Sequence, residues 1–262
     1  MIIYFSGTGN SRAVARRLSG NLGDKLYEIS GKRATSPSEA EILTIESDAP
    51  ERVVWVFPTY SWGVPPVVQR FMTEVRAKES FAKAQHWMVT TCGDDMGLAD
   101  GMFRRLLRKR GWKTAEAAFS VIMPNTYTLM KGFDVDQRSI ARTKLAAMPS
   151  TVDRIAAMID GKEKAENMLV RGGFPWIKTK IVFPWFRKYE MSPKPFHYTA
   201  ACTACGKCAR SCPLDNIRMG SDGPEWGTDC ALCLRCYHIC PQHAVAYGKT
   251  TDGKGQYMFP EK

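Results

Sequence analysis

The chain has 262 residues, enough for one large domain or two modest ones. Hydrophobic residues make up 44% and charged residues 24%, an ordinary globular balance that excludes wholesale disorder; no apolar run approaches the ~20 residues of a bilayer-spanning helix. The formal charge of +11, from 37 Lys+Arg against 26 Asp+Glu, taken alone suits an acidic partner, nucleic acid or an anionic membrane surface.

In chain order, Met1–Phe5 reads as a buried strand that runs into Ser6-Gly7-Thr8-Gly9-Asn10-Ser11. Ala13, Val14, Leu18 and Leu22 then recur at helical spacing. Lys25–Ile29 is a second strand, and Arg52–Phe57 a third, stopped by Pro58. Pro65-Pro66 open a helix whose apolar face is Val68, Phe71, Met72 and Val75. His86–Thr91 is a fourth strand, followed by Cys92-Gly93-Asp94-Asp95. Met96–Arg110 is a helix with Phe103, Leu106 and Leu107 inward, Lys113–Met123 a fifth strand, and Asp136–Ile159 a long helix ending near Gly161. Strands alternating with helices imply an α/β doubly wound parallel sheet, and five strands fit the order 2-1-3-4-5. Ligands in such sheets bind beyond the carboxyl ends of the strands, where the loops at Ser6, Pro58 and Cys92 all lie.

Residues 161–195 change character. They carry eight basic against three acidic side chains, with Phe174, Trp176, Phe183, Trp185, Phe186 and Tyr189 among the lysines. From Phe196 the chain is short-looped and cysteine-rich. The expected division is a first domain over 1–160, a basic-aromatic connector over 161–195, and a second domain with a C-terminal tail over 196–262. The connector has three readings: it packs between the domains with its lysines outward, it lies on an anionic membrane surface, or it docks an acidic protein partner.

Eight of the nine cysteines lie between residues 202 and 240. They repeat at an offset of 28: Cys202, Cys205, Cys208 and Cys212-Pro213 map onto Cys230, Cys233, Cys236 and Cys240-Pro241, and Ile217 onto Val245. The N-terminus lacks the features of a signal peptide, so the chain is expected to be cytoplasmic, where such thiols are metal ligands rather than disulfides. Each unit is C-x2-C-x2-C-x3-C-P, and residues 196–247 resemble a bacterial two-[4Fe-4S] ferredoxin domain. That architecture implies that the fourth cysteine of each unit ligates the other cluster. Cys202, Cys205, Cys208 and Cys240 would hold one, and Cys230, Cys233, Cys236 and Cys212 the second. Two structural zinc sites are the alternative, but those usually present paired C-x2-C knuckles rather than triple runs.

The loop Ser6–Ser11 lacks the lysine of a nucleoside-triphosphate loop and the glycine order of dinucleotide sites. Its glycines permit close backbone approach, and its hydroxyls and the following helix N-terminus offer donors to a phosphate. It resembles the flavodoxin phosphate signature in Ile2, Ile3, Tyr4, Ser6, Thr8, Gly9, Asn10, Ala15 and Leu18, with Ser11 in place of the usual threonine. The resemblance implies FMN and a flavodoxin-like fold. Pro58, Thr59, Tyr60, Trp62 and Gly63 would then supply aromatic faces and a peptide that reorients toward the flavin. Cys92, Gly93 and Asp94 would contact the ring edge, with Cys92 a small buried residue rather than a catalytic thiol. Pro124-Asn125-Thr126-Tyr127 follows the last strand; a Pro-Asn-x-Tyr stretch also occurs in flavodoxins fused to ferredoxins, which the whole chain resembles. Lining the site and closing the loop are equal readings for it. His238, between two cluster ligands, reads as exposed.

These readings imply FMN and two [4Fe-4S] clusters in one chain. The bound groups would lower the net charge from +11 to about +5, at about −2 for each cluster site and for the flavin phosphate. The expected function is an electron carrier linking two-electron and one-electron redox proteins. The alternative is a flavin-dependent reductase of a small molecule fed by its own clusters. No nucleic-acid-binding signature is present; peripheral membrane contact through the connector stays open.

Overall fold

The computed structural model describes residues 1–31 and 50–260. Alternate residues of the central strands point to opposite faces, as strand geometry requires, and both sets are apolar. Ile3, Val53, Trp55, Phe57 and Met88 enter one core; Ile2, Tyr4, Val54, Val56, Trp87 and Val89 enter the other. A sheet with two apolar faces must be covered on both sides.

The strands are β1 (Ile2–Tyr4), β2 (Leu26–Glu28), β3 (Arg52–Pro58), β4 (Gln85–Cys92) and β5 (Ala115–Ile122). They form one sheet in the order β2-β1-β3-β4-β5. All the pairings are parallel, with Ile3 beside Tyr27 on one side and Trp55 on the other. The expected order is therefore the observed one. Pro58 ends β3 opposite Thr91 rather than lying just outside it; at a strand end its missing N–H costs little.

Helix α1 (Asn10–Leu22) buries Val14 and Leu18 on one face of the sheet. Helices α2 (Pro66–Glu74), α3 (Glu79–Lys83), α4 (Ala99–Lys109) and α5 (Arg138–Ile159) follow. Val152 and Ile155 of α5 join α1 over the same face, while Phe71 of α2 and Phe103 and Leu107 of α4 cover the other. Pro65-Pro66 open α2 as their fixed φ predicts. The five-residue α3 has too little periodicity to be read from sequence.

Within the basic-aromatic segment, residues 175–189 are helical, while Met168 makes a parallel bridge to Phe119 of β5. The helical stretch comprises α6 (Pro175–Ile177), a π-helical turn (Lys178–Val182) and α7 (Phe183–Tyr189). Beyond it lie β6 (Phe196–Tyr198), α8 (Lys207–Arg210), β7 (Ile217–Met219), β8 (Pro224–Trp226), α9 (Arg235–Ile239) and β9 (Val245–Tyr247). β6 pairs antiparallel with β9, and β7 with β8. The repeated positions Ile217 and Val245 thus each open a strand after a Cys-Pro.

This C-terminal unit is seated on the carboxyl edge of the large sheet. Arg235 donates to the carbonyls of Ser6 (3.0 Å) and Gly7. Gly31 N–H donates to Pro213 O (2.6 Å), and Arg70 pairs with Asp229 (2.8 Å). His238 is buried rather than exposed. Its Nε2 lies 2.8 Å from Thr126 O, and its Nδ1 accepts from Tyr257 N–H (3.2 Å), so the ring ties together the loop after β5, α9 and the C-terminal segment.

His86 is fully buried against Trp55, Phe81 and Trp112. Trp55 Nε1–H donates to its Nδ1 (3.2 Å), which a proton there would abolish. Burial lowers its pKa from 6.5 to about 4. The unfolded chain therefore binds a proton between those values that the folded chain does not, and stability falls as pH drops through this window, by about 3 kcal/mol in full. His86→Gln, which cannot titrate, is expected to flatten the acid limb of stability in urea unfolding at pH 7 and pH 5; an unchanged limb would rule out this role.

Candidate functional site at the carboxyl edge of the sheet

The loops after β1, β3, β4 and β5 converge on a cleft with two lobes. The first, about 110 Å³, is lined by Asn10, Thr59, Tyr60, Cys92, Gly93, Asn125 and Tyr127, and also by Phe186, Leu232, Cys233 and Leu234. The second, about 220 Å³, is mostly apolar and adds Trp62, Asp94, Asp95, Met130, Phe133, Val182 and Trp185. The lobes share Thr59, Ser61, Cys92, Gly93, Asn125, Tyr127 and Phe186. Together they reach the lower range of small-molecule sites, ~300–1,000 Å³.

Each wall has a local cause. The loop after β3 turns tightly at Ser61 (φ 44°) and Trp62 (φ 61°), both left-handed. Reciprocal bonds between Tyr60 and Gly63 (3.1 and 3.0 Å) close it, and two positive φ values in the middle are what such a hairpin demands. Thr179 from the π-helical turn donates to Trp62 O (2.8 Å) and accepts from Leu98 N–H (2.8 Å). Lys178 pairs with Asp95 (2.7 Å) and sits 5.1 Å from the Trp62 ring. Asp94 turns elsewhere, accepting from Asn125 Nδ2 (3.0 Å). Asn125 packs so closely on Gly93 that a Cβ there would fall 1.7 Å from its Oδ1. Burial, with Asp95 and Asp94 nearby, pushes the Cys92 thiol up to about 12; it is an inert wall residue.

The loop after β1 is buried throughout. Gly9 adopts a left-handed φ of 100° at the N-terminus of α1, which has no side-chain cap, so the first-turn N–H groups have no partner within the helix. Ser6 Oγ accepts from Gly9 N–H (3.2 Å), and Ser11 and Thr91 hydroxyls lie 2.7 Å apart. Asn10 donates to Pro124 O (3.0 Å) and accepts from Tyr257 Oη (2.9 Å). Two other parts of the chain close over this loop. Phe259 N–H donates to Thr8 O (2.8 Å), and a Cβ on Gly9 would meet the Phe259 Cβ at 2.8 Å. A Cβ on Gly7 would stand 2.7 Å from Cys233 O and 3.0 Å from Cys233 Cβ.

Of the residues singled out from the sequence, Asn10, Thr59, Tyr60, Trp62, Cys92, Gly93 and Asp94 reach the cleft. Ser6, Thr8, Gly9, Ser11 and Pro58 line neither lobe. Nor does Gly63, whose N–H and C=O are both spent on Tyr60 and which lies under the Phe183 ring, 2.5 Å from where its Cβ would be. Asn125 and Tyr127 line the cleft. Phe186, Leu232 and Leu234, and the covering residues Tyr257 and Phe259, carried no sequence signal for this role, since long-range packing alone brings them here.

The cysteines fall into two cavities. Cys202, Cys205, Cys208 and Cys240 line one, with Val245 and Met219. Cys212, Cys230, Cys233 and Cys236 line the other, with Ile217 and Trp226. The division is the crosswise one. The two sets differ in exposure: Cys205 is exposed, and hydrogen bonding from the Lys207 N–H lowers its pKa. Burial raises the thiols of Cys230 and Cys233 to about 12 and about 11. Thiolates in the second cavity therefore require a compensating positive charge. Its wall also holds the buried indole of Trp226, whose N–H is directed at the Cys236 sulfur.

Residues 191–245 match the family model of a 4Fe-4S dicluster domain. The C-terminal part of the chain is a ferredoxin-type 4Fe-4S domain. No curated protein matches the chain. Among solved structures, the chain is similar to the Trp repressor binding protein from Bacillus subtilis, at 10% identity over 63% of this chain and 100% of that one, with a TM-score of 0.42. It is similar to the Streptococcus pneumonia TIGR4 flavodoxin at 14% identity over 62% and 97%, TM-score 0.36. It is also similar to an FMN-dependent NADH-azoreductase from Bacillus anthracis in complex with FMN, at 8% identity over 59% and 98%, TM-score 0.35. The flavodoxin-like assignment of the first part rests on the strand order observed here. Cys233, Leu234 and Arg235 of the ferredoxin-type domain are among the residues that meet it.

Gly7→Ala is expected to lower stability by about 1–3 kcal/mol, because the added methyl meets backbone rather than a movable side chain. Gly20→Ala, in α1 with open space around it, is expected to raise stability by about 0.5–1 kcal/mol. Denaturant unfolding of the pair checks both; equal effects would remove the close approach of Gly7 and Cys233.

Proposed function

We propose that the chain is an electron-transfer protein. It holds FMN in the two-lobed cleft and two [4Fe-4S] clusters in the cysteine cavities, and it links two-electron to one-electron redox partners. The observation that carries this reading is the position of Cys233, which lines both the cleft and the second cysteine cavity. When bound, FMN supplies exchange of one or two electrons and each cluster supplies exchange of one. The chain's contribution is spacing, insulation and polarity.

The residues fit these groups. Within the cleft, Asn10 at the uncapped start of α1 and the neutral groups of Thr59, Ser61 and Asn125 suit a phosphate, whereas Ser6, Thr8, Gly9 and Ser11 lie outside it. Trp62, Tyr60 and the glycine-thin wall at Gly93 suit a flat ring. Cys202, Cys205, Cys208 and Cys240 would hold one cluster, and Cys212, Cys230, Cys233 and Cys236 the other. Trp226 donates toward the Cys236 sulfur, and hydrogen bonds to ligand sulfur tune a cluster. The set with the exposed Cys205 is open to a protein partner, while the set with Cys233 abuts the cleft. We take 1–160 as the flavin-binding unit, 161–195 as the connector that walls its cleft, and 196–262 as the cluster-binding unit with its tail.

A second reading, a reductase acting on a small molecule, draws on the apolar 220 Å³ lobe, which leaves room for an acceptor beside a ring. Steady turnover of a small acceptor without a protein partner distinguishes it from a carrier.

Anaerobic purification with iron, sulfide and flavin quantitation tests the proposal. About eight irons, about eight sulfides and about one FMN per chain are expected; zinc in place of iron, or no flavin, overturns the corresponding half. Trp226→Phe removes a donor to sulfur and is expected to lower the potential of one cluster while leaving the other unchanged, in a redox titration followed by electron paramagnetic resonance.

A further inference from the structure

The connector helix is held by one face and bare on the other. Inward, Thr179 bonds to the loops after β3 and β4, Phe183 covers Gly63, and Phe186 packs edge-on against Tyr127. Outward, Phe174 (78% exposed), Trp176 (59%), Ile177 (45%), Ile181 (54%), Trp185 (46%) and Tyr189 (58%) face solvent. Single exposed apolar residues need no explanation, but this set does: Ile177, Ile181, Trp185 and Tyr189 recur every four residues along the helix, with Phe174 and Trp176 at its start. Residues 175–189 run on as one helical ridge of about 22 Å.

Charge indicates what the ridge meets. Lys180, Arg187 and Lys188 are exposed on the helix, and between Gly172 and Tyr189 there is no acidic residue. Lys178 is already paired with Asp95. Large aromatic and aliphatic side chains interleaved with cations are the composition of helices that lie in the headgroup region of anionic bilayers. An acidic protein partner would need the cations but not six large apolar side chains on a convex surface. Among the described residues no helix is long and apolar enough to cross a membrane, so the ridge would rest on the surface rather than insert across it.

We propose that the helix formed by residues 175–189 docks the protein on an anionic phospholipid surface through Phe174, Trp176, Ile177, Ile181, Trp185 and Tyr189, with Lys180, Arg187 and Lys188 facing the headgroups. Val182 and Trp185 of the same helix also line the apolar lobe of the cleft, so docking brings the mouth of that lobe to the bilayer. The inference stands apart from the cofactor assignment, since it rests on the outer face of the helix alone.

The test is cosedimentation of the full, cofactor-loaded chain with vesicles of phosphatidylcholine alone and of phosphatidylcholine mixed with phosphatidylglycerol. Binding to the mixed vesicles and not to the neutral ones is expected. Lys180→Glu and Lys188→Glu are each expected to weaken it about fivefold or more, from about 1 kcal/mol per basic side chain at the surface. Ile177→Asp with Ile181→Asp, at positions that line neither lobe, is expected to abolish it while cluster and flavin absorbance stay at wild-type levels. Wild-type protein that stays in the supernatant with both vesicles overturns the proposal. So does binding that the double Asp variant leaves intact. A wild-type dimer in sedimentation velocity that the double variant converts to monomer, without vesicle binding, would instead assign the ridge to a second copy of the chain.

Discussion

Gly7 has no side chain, and the backbone of Cys233 occupies the space where one would be. That contact is what the rest of the molecule is arranged around. It joins the first loop of the large sheet to a ligand-type loop of the ferredoxin-type domain at backbone distance. Arg235 fastens it, spending its guanidinium on the carbonyls of Ser6, Gly7 and Ser211. A carbonyl that receives a charged donor is held more firmly than one facing water, by about 1.5–3 kcal/mol per bond. A larger residue at position 7 would separate the two units, and the cleft would lose one wall.

The two cysteine cavities are related by sequence repeat but not by environment. Burial pushes the thiol pKa values of Cys230, Cys233 and Cys236 up, whereas Cys205 is open to water. Hydrogen bonding and solvent exposure both set cluster potentials, so the two cavities would give the two proposed clusters unequal surroundings. The bulky Leu234-Arg235 pair, where the first loop has Gly206-Lys207, is the local origin of the difference. Leu234 is buried beside the cleft and Arg235 reaches across to the phosphate-type loop.

The connector shows how one segment can serve two surfaces. Its inner residues complete the cleft, and its outer residues are apolar and basic. The lysine-aromatic mixture looked uniform in sequence, and all three readings drew on the same residues. The structure divides the segment: Phe183 and Phe186 are buried, so packing accounts for part of it, while Trp176, Ile181 and Tyr189 remain exposed and packing does not account for them.

The sequence by itself determined the elements whose signals are local. Strand alternation, the proline-opened helix at Pro66, the glycine-hydroxyl loop at Ser6–Ser11 and the 28-residue cysteine repeat all follow from neighbouring residues, and each stands in the structure where its pattern put it. Only the tertiary structure decided what depends on residues far apart in the chain. Phe259 covers Gly9 and Tyr257 holds Asn10; His238, read as exposed, is buried between Thr126 and Tyr257. Gly63 is turned under Phe183, away from the cleft. These contacts span from 19 positions, between His238 and Tyr257, to about 250, between Gly9 and Phe259, and no periodicity or local propensity encodes them, because they arise from the complementarity of surfaces that exist only once the chain has folded.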